Sequence, residues 1–410
     1  MSTSCSLSDG YLNGPWAFYL CAKYAAVPGA NALLQIFLMV LYISCGIGKM
    51  GPWFTQVFCQ EWTLPAWAAI LDLRWLLYGA NFPHDNTPTM FARFFGYIAA
   101  TAEWAAPLGW LFPASVVGGM SQSGWLAITS PAVAFGSLTL VAMHIYIVAH
   151  MPAFDVWLLN VVPGVLTPYA FHLAPSLSEP GFDFAALASL PVSLKLVCAA
   201  LVAYVLYGHM RPSRVSYVFA YKFWAGNWPM GYVLLKRSAQ EKLYKRWPQL
   251  AKTGPVAEVS QAMEPDEWKR LQVIYGMMGA FQTAQLPHRM MPLLMHKVLG
   301  GQRITEFDGT VAQSFFASYW LAGNSINETM SDGLLFREAH KECAFEEGEF
   351  VWIECKSFPL LAHVWGGKAL WEIHDAKLGL TDSGSFTVAA ALAVTRPSIL
   401  RFWAEHPKRA

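Results

Sequence analysis

A series of long apolar segments in the first half of the chain constrains its fold more than any other feature. The hydrocarbon core of a bilayer, about 30 Å thick, is crossed by a helix of about 20 mostly apolar residues. The chain is therefore predicted to fold as an all-α polytopic membrane bundle of five or six transmembrane helices. The candidate segments are Asn31–Lys49, Leu64–Ala80, Ala92–Gly118, Trp125–Met151, Ala153–His172 and Ser189–Gly208.

Charged residues are concentrated in the second half of the chain. Residues 1–200 contain 5 of the 28 Lys and Arg residues and 8 of the 27 Asp and Glu residues. A basic cluster follows the last apolar segment and predicts a cytoplasmic C-terminal half, because positive residues resist translocation. Six helices would then place the N-terminus inside, and five would place it outside. Leu64–Ala80 is the weakest segment because it carries Asp72 and Arg74. The basic cluster comprises Arg211, Arg214, Lys222, Lys236, Arg237, Lys242, Lys245 and Arg246.

The composition and the motifs exclude several classes of function. A net charge of +1 argues against a nucleic-acid partner, which requires a concentrated basic face. The seven cysteines are scattered without the spacing of a zinc site or a disulfide framework. His340, Glu342, His363 and His374 also lack metal-ligand spacing, and Asp375 after His374 is typical of a turn. Nucleotide-binding loops and hydrolase motifs are absent from the sequence.

The pattern predicts four regions along the chain: an N-terminal interfacial segment (1–30), the transmembrane bundle (31–210), juxtamembrane and cytoplasmic helices (211–304) and a small cytoplasmic α+β module (305–410). Aromatic and basic residues alternate in Arg211–Trp247, which is expected to lie along the membrane surface. A helix is predicted from Pro229 to about Leu250, and a helix pair over 265–300. Alternating apolar residues predict strands at Phe350–Cys355 and Ala369–His374.

Three ionisable residues lie within the apolar segments: Lys49, Glu103 and His144. A charged side chain costs a few kcal/mol at the bilayer centre, so such residues usually face the bundle interior and mark a pathway or a reactive site. On three separate helices they can build one polar pocket, in which the lysine acts as a base. They can equally be buried polar links between helices, and Lys49 can also extend to the interface. One pocket requires the first helix to continue past Lys49 towards Phe54, or to break at its glycines.

The chain resembles two groups of membrane proteins, the first in its membrane half only. Tyr42–Trp53 (YISCGIGKMGPW) resembles the signature of the vitamin K-dependent gamma-carboxylase-like, or HTTM, superfamily, and Glu103–Pro107 (EWAAP) and the His144 helix follow in the same order. The whole chain resembles a family of bacterial transmembrane proteins of unknown function. That second resemblance rests on the region from the Lys49 helix through Pro152, on Tyr221–Trp228, on Tyr275–Pro292 and on Glu342–Gly348.

The HTTM resemblance implies roles for individual residues. Lys49 matches the lysine that deprotonates the reduced quinone in the carboxylases, and Glu103 and His144 match a helix acid and a later helix histidine. Trp53, Tyr146 and His150 are the candidates for binding a cofactor in this chain, for which the resemblance suggests a reduced quinone. His144 and His150 lie on different faces of one helix, so a haem or metal pair is not expected. This chain has no counterpart of the large lumenal domain that binds a protein substrate.

Two hypotheses follow for the function. The first is an integral-membrane enzyme that acts on a lipid, quinone or isoprenoid with Lys49 as general base. The second is a non-catalytic membrane subunit, assembly factor or lipid-transfer scaffold, in which the same polar residues connect helices. The expected partners are membrane lipids, a lipophilic small molecule and a membrane protein.

Overall fold

The protein combines a helical bundle, built from its first half, with one antiparallel sheet, built from its second half. The computed structural model describes residues 18–62, 72–80, 87–113, 131–150, 154–173, 180–215, 220–222, 225–246, 285–299, 307–311 and 334–394. Within them the bundle helices are α1 (18–24), α2 (Ala30–Lys49), α3 (Phe54–Glu61), α4 (Arg74–Tyr78), α5 (Met90–Ala105), α6 (Pro131–His150), α7 (Phe154–Pro168), α8 (Phe184–Ser189) and α9 (Val192–Met210). A 3-10 turn, Ala106–Leu111, extends α5, and a π turn, Tyr169–Leu173, extends α7.

Helix α2 is the central helix of the bundle. Three segments of the described chain are long and apolar enough to cross a membrane: Ala30–Lys49, Pro131–Ala149 and Val192–Met210. In the first segment, 72% of the residues in an 18-residue apolar stretch are buried. The corresponding values in the other two segments are 28% and 17%. Helix α2 is therefore surrounded by protein, whereas most residues of α6 and α9 are partly or fully exposed. The largely helical first half is confirmed, and within the described residues three of the five or six predicted spans are long and apolar enough to cross a membrane.

Helix α5 runs antiparallel to α2 and α3. Near the start of α5, Gly96 lies against Thr55 of α3; near its end, Trp104 lies against Gly46 of α2. A Cβ atom on Gly46 would lie 2.5 Å from the backbone nitrogen of Trp104, so this glycine permits the close approach of the two helices.

Helix α6 runs in the same direction as α2, and α7 runs in the opposite direction. Helix α6 starts at the level of Trp110, whose indole nitrogen donates to Ser137, and it ends near Trp62, which packs on Tyr146. Helix α7 returns to the level of Trp110, where Phe171 of the π turn stacks on the indole with 3.7 Å between ring centroids.

Helix α9 runs parallel to α2 on the other side of the bundle. Leu194 near its start packs in the same cluster as Leu33, and His209 near its end hydrogen-bonds Ser44. The helices α2, α5, α6, α7 and α9 thus alternate in direction along the chain.

The second half of the chain forms a five-stranded antiparallel sheet within the described residues. Its order is β2-β1-β3-β4-β5, with β1 at Met230–Lys236, β2 at Phe307–Val311, β3 at Phe350–Cys355, β4 at Lys368–Asp375 and β5 at Gly379–Thr387. The accompanying helices are α10 (Arg237–Arg246), α11 (Met291–Leu299), α12 (Leu334–Cys343), α13 (Ala362–Trp365) and α14 (Val388–Ala393). Helices α10 and α12 cover one face of the sheet. The other face shares a core with Trp53, Phe54 and Val57 of the bundle, so the sheet is attached directly to the membrane helices.

The strand predictions were right for β3 and β4 and wrong for β1. A helix was predicted from Pro229, but Met230–Lys236 forms a strand and the helix begins only at Arg237. The reason is burial on both faces: Tyr232 packs in the core on one side and Val233 in the core on the other. The sheet therefore includes a strand from the region predicted to be helical.

Two other expectations are corrected. In the described part of the weak segment Leu64–Ala80, only Arg74–Tyr78 is helical. Lys222 was expected to meet anionic lipid, but it is 2% exposed because it packs against Gly48 of α2. Of the helix pair predicted over 265–300, the part before residue 285 lies outside the described residues, and the rest forms a 3-10 turn followed by α11.

Gly46 and Gly48 provide a matched test of the close approach of α2 and α5. We expect Gly46→Ala to destabilise the protein by about 1–3 kcal/mol, the usual cost of overpacking, because the new methyl group would collide with the Trp104 backbone. Gly48→Ala should be neutral or slightly stabilising, because its methyl group would lie 3.4 Å from the nearest atom, Lys222 Cγ. The melting temperatures in detergent micelles measure this difference. Equal melting temperatures for the two variants would contradict it.

Candidate functional site on the central helix

The shortest polar contact of α2 lies at its C-terminal end. Lys49 Nζ donates to Glu103 Oε2 of α5 at 2.5 Å, and their side chains are only 8% and 7% exposed. The ring of Phe54 lies 5.5 Å from Nζ. Helix α2 ends at Lys49, and α3 begins after a short turn. In this turn the Trp53 indole nitrogen donates a hydrogen bond to the Gly48 carbonyl. Helix α2 therefore neither continues past Lys49 nor breaks at Gly46 or Gly48, but Lys49 at its end is buried all the same.

This ion pair can hold or transfer a proton. The Lys49 ammonium and the Glu103 carboxylate are in hydrogen-bond contact, which is the distance at which a general base takes a proton. Their burial removes the competition of water and strengthens the attraction between the charges. The same contact also connects α2 to α5, so the geometry is compatible with a reactive pair and with a structural link.

His144 belongs to a second polar cluster, two helical turns away. With its proton on Nδ1, His144 donates to Asn160 Oδ1 at 2.9 Å and accepts at Nε2 from the Tyr42 hydroxyl at 2.6 Å. Tyr42 also bonds the Thr167 hydroxyl at 2.8 Å. Gly164 of α7 faces the imidazole, and a side chain there would be only 3.3 Å from His144 Cβ.

The two clusters lie on one face of α2. Tyr42 and Lys49 are seven residues apart, which is close to two full turns and about 10 Å along the axis. The three predicted residues are thus placed on one side of the central helix, with Lys49 bound to Glu103 and His144 bound to Tyr42. Sequence reasoning missed Tyr42, although its spacing from Lys49 was a usable signal.

The candidates for cofactor binding lie in different surroundings. Trp53 is 1% exposed, and its ring stacks on Phe358 and meets the edge of His363, so it packs into the core shared with the sheet. Tyr146 lies against Trp62, with 5.4 Å between ring centroids. His150 is the last residue of α6, and its side chain lies outside the described part of the structure.

An apolar cavity lies on the opposite face of α2. Its volume is about 340 Å³, and it opens between α2, α8 and α9. Val40 lies nine residues before Lys49, which is half a turn around the axis at 100° per residue. Ser44 is the one polar side chain among the lining residues, and its hydroxyl hydrogen-bonds His209 at 3.1 Å. The lining comprises Ile36, Met39, Val40, Ile43, Ser44, Leu111, Phe182, Phe184, Leu187, Val202, Val205 and Leu206.

Comparison with known proteins assigns the chain to a family. The family described as "Transmembrane protein of unknown function (DUF3556)" matches residues 11–399, nearly the whole chain. The chain belongs to this family. No curated protein and no solved structure matches it. The match confirms the resemblance to transmembrane proteins of unknown function, and it gives no support to the HTTM resemblance.

The sheet carries a polar cluster that sequence reasoning also missed. Glu354 on β3 and Glu372 on β4 lie directly opposite each other. Lys356 Nζ donates to Glu354 Oε1 at 2.5 Å, and His374 Nε2 donates to Glu372 Oε2 at 3.0 Å. Burial raises the pKa of Glu354 to about 7, whereas the hydrogen bond from His374 lowers the pKa of Glu372. The described residues contain no group of three or more His, Cys, Asp or Glu side chains that could hold a metal ion.

A double-mutant cycle measures the strength of the ion pair. Lys49→Met or Glu103→Leu alone should cost about 3–5 kcal/mol, because each leaves an uncompensated buried charge. The double variant should recover most of that loss, since neither charge remains. Melting temperatures in detergent micelles provide the readout.

The Asp72–Arg74 pair serves as the control, because both of its side chains are 54% exposed. Asp72→Asn should leave the melting temperature unchanged, since water screens an exposed pair. If the effects of Lys49→Met and Glu103→Leu were additive, the two residues would not be coupled as the structure shows.

Proposed function

We propose that this integral-membrane protein binds a lipophilic molecule, a lipid, quinone or isoprenoid, between α2, α8 and α9. The cavity of about 340 Å³ on the Val40 face of α2 carries this proposal. Its volume falls within the range of about 300–1,000 Å³ that is usual for ligand pockets.

The lining of the cavity selects for such a ligand. Its walls are apolar, and two of them, α2 and α9, are long enough to cross the membrane. A hydrocarbon chain can reach this site from the bilayer without leaving an apolar environment. The Ser44 hydroxyl, bonded to His209, supplies a polar contact for the head of the ligand.

We propose five passes and a cytoplasmic C-terminal half. The alternating directions of α2, α5, α6, α7 and α9 support an odd number of passes. The basic cluster that begins at Arg211 favours the cytoplasm for the end of α9. With five passes the N-terminus lies on the opposite side of the membrane.

Filling the cavity tests the binding proposal. Val202→Trp places a large ring among the lining residues and should abolish the retention of lipid by the purified protein. Leu138→Trp is the control, because Leu138 on α6 is 67% exposed and lies outside the cavity. Mass spectrometry of lipids extracted after detergent exchange gives the number of molecules bound per protein. The binding proposal fails if Val202→Trp melts like the wild type and still retains the same lipid.

A second candidate function is lysine-base catalysis, favoured by the contact between Lys49 and Glu103. In this mechanism the Lys49 ammonium passes a proton to Glu103, and the resulting amine removes a proton from a lipophilic acid such as the hydroxyl of a reduced quinone. The HTTM resemblance motivates this mechanism. In the alternative, a non-catalytic subunit, assembly factor or lipid-transfer scaffold, the pair only joins α2 to α5.

Lys49→Arg separates these two roles. Arginine preserves the charge and the ion pair but does not lose its proton, so it removes a base while keeping a link. If Lys49 is a base, this variant should melt near the wild-type temperature and fail to complement a deletion strain. Lys195→Arg on α9 is the control and should complement fully. Full complementation by Lys49→Arg would rule out the base and favour the scaffold.

A further inference from the structure

The short helix α13 exposes an apolar surface. Leu361, Val364 and Trp365 are 40%, 71% and 55% exposed. Ala362 between them is buried, and His363 packs on the edge of Trp53, so α13 turns one side to the protein and the other outward. We call Leu361, Val364 and Trp365 the α13 surface.

The α13 surface is held at the ends of two bundle helices. The backbone nitrogen of Leu360 donates to the carbonyl of His209, in the last turn of α9, at 2.8 Å. Through His363, α13 also contacts Trp53, which follows the end of α2. Both α2 and α9 are candidate membrane spans, so their ends mark the level at which the bilayer core gives way to headgroups.

The surroundings of α13 match the chemistry of that boundary. Tyr207 and Met210 in the last turn of α9 are about half exposed. Three exposed cations lie close in sequence to these helices: Arg211 and Arg214 directly follow α9, and Lys368 begins β4 shortly after α13.

Tryptophan is common in the headgroup region because most of its ring is apolar. The indole nitrogen of Trp365 donates to the Leu360 carbonyl at 2.7 Å, so this side chain offers the membrane its apolar ring. Cations at this level attract anionic lipids.

We propose that the α13 surface inserts into the bilayer interface beside α9 and anchors the sheet to anionic lipid. A bilayer is favoured over a protein partner because the surface is small, adjoins the end of a span and is accompanied by cations. The anchor does not depend on the cavity or on catalysis. It requires only that α9 crosses the membrane.

Spin labels on the full chain in nanodiscs test the anchor. The nanodiscs contain phosphatidylcholine and phosphatidylglycerol at a ratio of about 3:1. Cys21 and Cys198, which are exposed and half-buried, are replaced by Ser, and so is Cys5. A label at Val364→Cys should collide more often with oxygen, which dissolves in lipid, than with an aqueous nickel chelate.

Leu378→Cys is the matched control. Leu378 is 54% exposed, but it follows the far end of β4, whose eight residues span about 26 Å. Its label should be more accessible to nickel. A Val364 label that is as accessible to nickel as the Leu378 label would overturn the anchor. A Val364 label shielded from both reagents would also overturn it, since that result indicates cover by protein.

Discussion

A polar group on a membrane helix must find its partner inside the protein, and this requirement organises the whole bundle. Helix α2 carries polar residues along its length, and together they bond every other long helix of the bundle. Gln35 donates to the carbonyls of Ala170 and Gly181, Tyr42 bonds His144, Ser44 bonds His209, and Lys49 bonds Glu103. Apolar contacts alone would let the helices slide, since lipid is as apolar as leucine. The hydrogen bonds of α2 give each neighbour a fixed register.

The sequence was informative where the membrane itself imposes the pattern. Hydropathy located α2, α6, α7 and α9 to within a few residues at most ends, because every spanning segment must stay apolar over the same length. The cost of an ionisable group in lipid also singled out Lys49, Glu103 and His144, all of which are buried. Their roles remain proposals. Tyr42, Ser44 and His209 escaped attention because such residues are common in apolar helices for other reasons.

The sequence was less informative where long-range contacts decide the structure. Met230–Lys236 reads as the start of a helix, yet pairing with β2 and β3 makes it a central strand. Strand β5 was not predicted, because its run of Thr, Asp, Ser and Gly residues lacks apolar alternation and depends on its partner β4. Lys222 looked like a surface cation, yet it is buried where its chain packs beside Gly48 of α2. None of these contacts leaves a local signal.

The buried Glu354 makes the stability of the sheet depend on protons. Its pKa is about 7 in the folded protein, against an ordinary value of 4.5. Between these two values the folded sheet keeps a proton that the unfolded chain releases. The contribution of this group to folding is therefore most favourable below pH 4.5, declines as the pH rises to about 7 and stays low above it. Ile353 and Cys355, on either side of Glu354 in β3, belong to the core shared with Trp53, so Glu354 lies on the other face of the sheet. A rise in pH would therefore weaken the sheet from the face turned away from the bundle.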